Sequence, residues 1–339
     1  MSEKTGFNTV AIHSGAQPDP STGARATPIY QTSSYVFENT DHAADLFAGR
    51  AFGNIYTRIM NPTQDVLEKR VAELEGGKGA LALASGHAAQ LIALHPLMSA
   101  GDEFIASNKL YGGSINQFNY SFRKFDWNVS WAEANDVDDY KSKINDKTKA
   151  IFIESIANPG GIITDIEAIA RVAEEHHLPL IVDNTRATPY LLKPINYGAE
   201  IVIHSTTKYI GGQGSAIGGI IVDGGNFNWS EFKNQQPALN KPDPSYHGVI
   251  WTEASKPLGP IAFILKARTT LLRDLGSAMS PFNAFQFIQG IETLPLRIER
   301  QSHNALKVVD YLKKNNNVSK VIYPGPSTKN TKYFSKNLY

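Results

Sequence analysis

The sequence predicts an α/β fold in which a mostly parallel sheet is covered by helices on both faces. Short apolar runs alternate along the chain with stretches whose apolar residues recur at helical spacing. The runs are apolar throughout instead of alternating with polar residues, as expected for strands buried on both faces. Strands that alternate with helices in this way favour parallel pairing with crossover helices.

Seven apolar runs supply the predicted strands. They are Ala80 to Ser85, Glu103 to Ser107, Val129 to Glu133, Ala150 to Ser155, Leu178 to Asn184, Glu200 to Ser205, and Gly218 to Gly224. Between two of these runs, a helical stripe with acidic residues opposite predicts an amphipathic helix. The stripe consists of Ile166, Ile169, Ala170 and Ala173.

The N-terminal part, residues 1–60, is rich in Pro, Gly, Ser, Thr and aromatic residues without sustained periodicity. We expect it to form an extended arm that contacts a neighbouring subunit. A helix should follow Pro62, with Thr63 as its cap and Gly76-Gly77 at its end.

Residues 61–255 are predicted to form the main α/β domain, and residues 256–339 the start of a C-terminal domain. From Lys256 the pattern is helical, and Pro295 is well placed at a helix start. The run Val318 to Gly325 is expected to begin a strand of this smaller α+β domain, which we expect to be incomplete at Tyr339.

Composition narrows the class of protein. The 339 residues are 42% hydrophobic and 19% charged, and 33 basic against 32 acidic residues leave a net charge of +1. This balance gives no indication of a nucleic acid or anionic membrane partner. The absence of cysteine excludes disulfides, thiolate metal sites and a thiol nucleophile. No stretch resembles a secretory signal or an uninterrupted membrane span of about eighteen residues, so we expect a cytoplasmic protein.

Lys208 is the most informative residue. It follows the apolar run Ile201 to Ile203, and Asp183 ends the neighbouring run. A lysine at a buried strand end is costly as a cation but suited to forming a Schiff base. A nearby aspartate is what pyridoxal phosphate needs to keep its ring nitrogen protonated. The alternative is a solvated loop lysine and an aspartate that caps a turn.

A phosphate site is predicted at two neighbouring turns. The segment from Ser85 leads from a strand through glycine into an apolar helix, so the amides of Gly86 and His87 can face an anion at the helix N-terminus. The hydroxyls of Ser205 and Thr207 can complete this site. The same residues also fit ordinary turns, in which glycine is sterically required and the hydroxyls act as caps.

Other patterns do not support a nucleotide or metal site. Gly77 to Ala82 has G-x-G-x-x-A spacing but precedes a strand, and Gly211 to Gly219 lacks the Lys-Ser/Thr of a P-loop. His176 and His177 are adjacent, so their side chains diverge on a helix and do not chelate one ion. We therefore expect no metal.

The assembled motifs resemble the Cys/Met-metabolism pyridoxal phosphate enzymes. They are YTRIMNPT (Tyr56 to Thr63), SGHAA (from Ser85), LYGGS (from Leu110), ESIANPGG (from Glu154), VDNTRATP (from Val182), HSTTKYIGG (from His204) and the stretch from Ser280 to Ala305. Within this group, Asn240 to Ala254 is most similar to the O-acetylhomoserine sulfhydrylases. The resemblance implies the aspartate-aminotransferase-like type I fold and pyridoxal 5'-phosphate as cofactor.

The resemblance also implies a role for each matching residue. Lys208 would form the Schiff base and act as the base, and Asp183 would pair with the ring nitrogen. Tyr111 would stack on the ring and assist proton transfer, and Asn158 would bind the ring oxygen. Four residues would hold the phosphate from one subunit, and two would reach it from the neighbouring subunit of a dimer or tetramer. These are Gly86, His87, Ser205 and Thr207, and then Tyr56 and Arg58.

The implied reaction is γ-replacement on O-acetyl-L-homoserine by sulfide, giving L-homocysteine and acetate. Two alternatives stay open: a γ- or β-lyase with the same cofactor, and a catalytically incompetent oligomeric scaffold. Two departures from the family pattern matter. Arg186 stands where an aromatic or apolar residue is usual, either close to Asp183 or in contact with substrate. The arginine that binds the substrate carboxylate in the family has no counterpart in this sequence.

Overall fold

The structure, a computed structural model, describes residues 5–324. Within this range the chain forms one seven-stranded sheet in the order β1-β7-β6-β5-β4-β2-β3. The strands are β1 (Gly79–Leu83), β2 (Glu103–Ser107), β3 (Asn128–Ala132), β4 (Thr148–Glu154), β5 (Leu180–Asp183), β6 (Ile201–His204) and β7 (Gly219–Asp223). Each predicted strand is present, with ends shifted by no more than two residues.

β7 alone runs against the other strands. It pairs antiparallel with β1 on one side and with β6 on the other, while the remaining neighbours pair parallel. The carboxyl ends of the other six strands therefore meet at one edge of the sheet. Ligands of such sheets bind at that edge.

Fourteen α-helices are present in the described range. They are α1 (Phe7–His13), α2 (Thr40–Phe47), α3 (Pro62–Glu75), α4 (Gly86–Leu94), α5 (Gly112–Asn116), α6 (Val137–Lys143), α7 (Ile166–Glu175), α8 (Thr188–Leu191), α9 (Pro237–Asn240), α10 (Trp251–Ala254), α11 (Ala262–Lys266), α12 (Arg273–Leu275), α13 (Pro281–Glu292) and α14 (Leu294–Lys313). Short 3₁₀ or π segments occupy Gln117–Ser121, Phe122–Phe125, Pro194–Tyr197, Pro244–Tyr246, Lys256–Leu258 and Ala267–Leu272.

Two apolar layers cover the sheet. α1, α3, α7 and α13 pack on one face, where the predicted stripe of α7 is buried. α4 and α11, with residues 267–272, pack on the other face. This arrangement explains why the strands are apolar on both sides, and it confirms the predicted fold class.

The start of α3 differs from the prediction. Asn61, and not Thr63, is the N-cap, because the Asn61 side chain accepts a hydrogen bond from Thr63 N at 2.9 Å. The Thr63 hydroxyl instead donates to Pro28 O and accepts from Tyr30 N, which fixes the preceding segment on the helix. α3 ends at Gly76, as predicted, and Gly76 adopts the left-handed conformation.

The two ends of the described chain also add detail. Residues 5–60 include the helix α1, whose Val10 and Ala11 are buried against the chain's own core. The N-terminal segment is therefore not extended along its full length. No strand forms over 318–324, the described part of the run predicted to begin one, and Gly325 lies outside the described residues. In the described range, no helix is long and apolar enough to cross a membrane.

Candidate active site

Five strand ends bring most of the predicted site residues to one edge of the sheet. Leu83 pairs with Gly219, His204 with Ile220, and Glu154 with Asp183. Gly86, Tyr111, Asn158, Asp183 and Lys208 follow or end these strands. The topology thus collects residues that are more than 100 positions apart in sequence.

Gly86 and Ser205 are packed directly against each other. A methyl group on Gly86 would lie 2.8 Å from Ser205 Cβ, so only glycine fits this close approach. Ser85 caps α4 by accepting from Ala88 N at 3.1 Å, whereas the amides of Gly86 and His87 donate to no acceptor among residues 5–324. Unpaired amides at the start of a helix favour an anion.

The turn after β6 is held by hydrogen bonds to its neighbours. Ser205 N donates to Thr185 Oγ1 at 2.8 Å. The Thr207 hydroxyl accepts from Gly218 N at 3.0 Å and donates to Gly218 O at 3.2 Å. The Thr206 hydroxyl is buried and has no partner within the described chain. The turn therefore offers the Ser205 hydroxyl beside Gly86, while Thr207 also links two loops.

Asp183 is the only residue of β5 that is not fully buried. Its Oδ1 accepts from Thr185 N at 2.9 Å. Burial raises the pKa of the Asp183 carboxyl above its ordinary value, although Thr185 and the charge of His204 act in the opposite direction. A carboxylate destabilised in this way gains most from a cationic partner, such as a protonated pyridine nitrogen.

Lys208 lies on the exposed turn that follows Ser205. Its backbone is fixed at both ends, since Lys208 N donates to Ser205 O at 3.2 Å and Gly212 N donates to Lys208 O at 2.7 Å. Its Nζ forms no hydrogen bond or ion pair with the rest of the described chain. A held backbone with an unengaged amine suits a residue that reacts with an aldehyde.

The rings of Tyr111 and His87 are stacked. The ring centroids are 6.0 Å apart and the planes are inclined by 28°. Tyr111 N donates to Glu154 Oε1 at 2.6 Å, and Asn158 N donates to Glu154 Oε2 at 2.9 Å. One buried carboxylate thus connects Tyr111 and Asn158, two of the residues predicted to contact the cofactor ring.

Glu154 is a further candidate site residue that was not predicted from the sequence. Its one signal is that it ends the apolar run of β4, as Asp183 ends the run of β5. Burial, followed by the charge of Asp183, raises the pKa of Glu154, while the backbone amides of Tyr111 and Asn158, and then the positive charge of Arg186, act to lower this pKa and so favour the carboxylate. Arg186 therefore acts electrostatically on Glu154, a partner that the sequence did not suggest.

Tyr56 and Arg58 lie on the segment that precedes α3. The Arg58 guanidinium lies over the Tyr56 ring, 5.0 Å from its centroid. The Arg58 Nε is buried and has no hydrogen-bond partner in residues 5–324. Neither side chain forms a hydrogen bond, ion pair or ring contact with the strand-end residues in that range.

The arrangement can be compared with known proteins. The model of the Cys/Met metabolism PLP-dependent enzymes matches residues 8–338. The chain belongs to this family. An O-acetyl-L-homoserine sulfhydrylase of Leptospira meyeri is 51% identical, and the match covers 98% of this chain and 77% of the relative. A homocysteine/cysteine synthase of Saccharomyces cerevisiae is 46% identical, with 94% and 72% covered.

Solved structures agree with this assignment. The crystal structure of a putative O-acetylhomoserine (thiol)-lyase of Campylobacter jejuni has a TM-score of 0.94 and 39% identity, over 98% of this chain and 83% of that one. That protein carries a pyridoxyl-lysine monophosphate. A cystathionine γ-lyase of Lactobacillus plantarum has a TM-score of 0.80 and 31% identity, over 97% and 74%. The predicted family, type I fold and pyridoxal phosphate cofactor are confirmed.

The residues at the sheet edge fit pyridoxal phosphate. The unpaired amides of Gly86 and His87, beside Ser205, provide donors for a phosphate. Asp183 provides an anion that favours a cationic partner, and Lys208 provides a free amine. These residues therefore provide a partner for the phosphate, the ring nitrogen and the aldehyde of the cofactor.

Proposed function

We propose that this enzyme catalyses γ-replacement on O-acetyl-L-homoserine by sulfide. Acetate leaves the γ carbon and sulfur bonds there, so the products are L-homocysteine and acetate, as in methionine biosynthesis by direct sulfhydrylation. The main support is the convergence of Gly86, Asp183 and Lys208 in a chain that is 51% identical to an O-acetyl-L-homoserine sulfhydrylase.

Each residue at the edge has a proposed task. Lys208 binds the cofactor covalently and then moves protons at the α and β carbons of the substrate. Asp183 keeps the ring nitrogen protonated, Tyr111 covers the ring face and assists departure of the leaving group, and Asn158 donates to the ring oxygen. The bound cofactor supplies an electron sink for charge that develops at the α carbon. The substrate itself is oriented by the surrounding residues.

The phosphate would be held by Gly86, His87, Ser205 and Thr207. Amides at the N-terminus of α4 and the Ser205 hydroxyl are neutral donors that suit a dianion. The Thr207 hydroxyl would join them by turning its proton from Gly218 O to the phosphate.

Tyr56 and Arg58 are proposed to complete the phosphate site of a neighbouring subunit in a dimer or tetramer. Two observations support this: the unsatisfied Arg58 Nε, and large exposed apolar side chains on the same segment. The most exposed are Val36 (98%) and Phe52 (88%). Apolar side chains this exposed favour a protein partner.

Subunit mixing tests the shared site. Lys208→Ala and Arg58→Ala are each expected to be inactive. When the two variants are unfolded together and refolded, about a quarter of the sites should regain wild-type composition, as follows for a two-fold dimer. Mixed samples without restored activity would show that both residues serve the same subunit.

The chemical proposal is tested with the purified full chain. Reduction with labelled borohydride should abolish the absorbance band of the bound cofactor. The label should then be found on Lys208. Homocysteine formation from O-acetyl-L-homoserine plus sulfide should then exceed 2-ketobutyrate formation from methionine or cystathionine. The opposite ratio would favour the lyase alternative, to which the resemblance to cystathionine γ-lyase also points. A labelled but inactive protein would favour the scaffold alternative.

We also propose a division of the chain into residues 1–60, 61–255 and 256–339. A cytoplasmic location is proposed as well. α11 packs against the sheet together with α4, so the boundary at 255 would run between segments in contact. Limited proteolysis of the full chain, with cleavage near residues 60 and 255, tests the division.

A further inference from the structure

We propose that Glu154 is a positioning residue of the active site, whose carboxylate fixes the two loops that carry Tyr111 and Asn158. This inference deepens the proposed function, because it rests on the proposed contacts of those two residues with the cofactor ring. Glu154 itself need not touch the cofactor or the substrate.

The geometry supports this role directly. Glu154 is 4% exposed, and each of its carboxylate oxygens accepts a different backbone amide. Oε1 accepts from Tyr111 N at 2.6 Å and Oε2 accepts from Asn158 N at 2.9 Å. Tyr111 follows β2, whereas Asn158 follows β4, so one side chain joins the loops of two neighbouring strands.

The backbone of Glu154 is itself firmly placed. It is the last residue of β4, a strand inside the sheet, and it lies in register with Asp183 on β5. The Thr164 hydroxyl donates to Glu154 O at 2.6 Å. The carboxylate therefore fixes Tyr111 and Asn158 relative to Asp183, the proposed partner of the ring nitrogen.

The chemistry of the side chain matters as much as its position. A carboxylate offers two acceptor oxygens, whereas an amide offers one oxygen and a donor group that would oppose the second N–H. A residue placed here only to fill space would not need to be an acid, and burying an acid beside Asp183 is unfavourable. The two backbone amides that the Glu154 side chain binds explain why an acid occupies this position.

The test compares Glu154→Gln with a matched control, Glu200→Gln. Glu200 also accepts a backbone amide, from Leu180 N at 2.7 Å, and burial raises its pKa to about 8. It precedes β6 and so lies at the opposite edge of the sheet. Both changes remove one acidic acceptor of the same kind, but only one of them is at the site.

Two measurements on the full chain are decisive. Without cofactor, amide hydrogen exchange at Tyr111 or Asn158 should accelerate in Glu154→Gln and stay unchanged in Glu200→Gln. Affinity for pyridoxal phosphate, followed by absorbance and fluorescence, should fall about tenfold only in Glu154→Gln, as expected when a buried donor loses its acceptor. Glu154→Asp keeps both carboxylate oxygens but moves them away from the two amides, so it should shift both measurements in the same direction. This variant replaces Glu154→Gln if the latter does not fold.

The proposal is overturned if Glu154→Gln exchanges and binds cofactor like the wild type, or if the two Gln variants change equally. Neither readout uses turnover of substrate. A wild-type protein that fails to make homocysteine would contradict the proposed function and leave this test intact.

Discussion

Gly86→Ala should weaken cofactor binding, because glycine is the only residue that lets the start of α4 approach the turn after β6. A methyl group at this position would lie 2.8 Å from Ser205 Cβ and 3.2 Å from Ser205 Oγ. Carbon atoms in contact prefer a separation of about 3.5–4.0 Å. The two segments would therefore have to separate by about 0.7–1.2 Å.

This displacement widens the proposed phosphate site. Overpacking of this kind costs about 1–3 kcal/mol when the original geometry is retained. If the cofactor requires that geometry, its affinity should fall by about one to two orders of magnitude, at about 1.4 kcal/mol per factor of ten. The protein without cofactor can relax by letting the turn move, so its own unfolding should change less.

The assay is titration of the full-length protein, freed of cofactor, with pyridoxal phosphate, together with thermal unfolding in its absence. Gly112→Ala is the matched control, since Gly112 is also the first residue of a helix near the site but a methyl group there would meet no atom within 4 Å. Equal affinities for Gly86→Ala and wild type would refute the reasoning. Equal losses in both variants would show that the effect is not the contact with Ser205.

Three further changes give independent outcomes. Asp183→Asn should bind cofactor but lower kcat by at least about 100-fold, because the charge that holds the ring nitrogen protonated is removed. Glu68→Gln should lower the free energy of unfolding by about 3 kcal/mol, because it breaks a largely buried ion pair with Arg268. Burial raises the pKa of Asp223 to about 7, so between about pH 4 and 7 the folded state binds a proton that the unfolded state does not. The free energy of unfolding should therefore fall as pH rises through this range, by up to about 1.4 kcal/mol per pH unit from this group. Asp223→Asn should reduce that slope.

Each of these outcomes has a measurement and a contrary result. Steady-state kinetics at saturating cofactor checks Asp183→Asn, and a rate near that of the wild type would contradict its role. Denaturant unfolding checks Glu68→Gln against Lys69→Gln, whose exposed pair with Asp65 should contribute less than about 0.5 kcal/mol. Unfolding at several pH values checks Asp223→Asn, and an unchanged slope would argue against a protonated Asp223 in the folded state.

Most of the fold could be predicted because buried strands leave a direct signal in the sequence. Apolar runs marked all seven strands, and the order of runs and helices indicated a parallel sheet. The cap of α3 was predicted at Thr63 because its hydroxyl is a suitable acceptor, but Asn61 competes for the same position and Thr63 is occupied by Pro28 and Tyr30. Local propensity does not decide between two such candidates.

The site was predictable to the extent that its residues end strands. Asp183 and Lys208 are proposed as site residues in this way, because the ends of parallel strands converge. Glu154 was missed because its function depends on Tyr111, 43 positions away in sequence. The proposal that Arg58 serves a neighbouring subunit rests on the family resemblance, since no local pattern indicates which subunit a side chain serves.

The reversed direction of β7 affects how the nascent chain can mature. Of the seven described strands, β1 is the first to leave the ribosome, but it lies at the margin of the sheet, where its one neighbouring strand is β7, the seventh in sequence. Gly79 must therefore wait for Asp223, 144 positions later, and contacts at such long range form slowly. Gly219, the first residue of β7, packs so closely on the start of α4 that a methyl group there would lie 2.9 Å from Gly86 N. The proposed phosphate site at Gly86 and Ser205 is therefore completed only at this step, and binding of the cofactor should show that synthesis has passed β7.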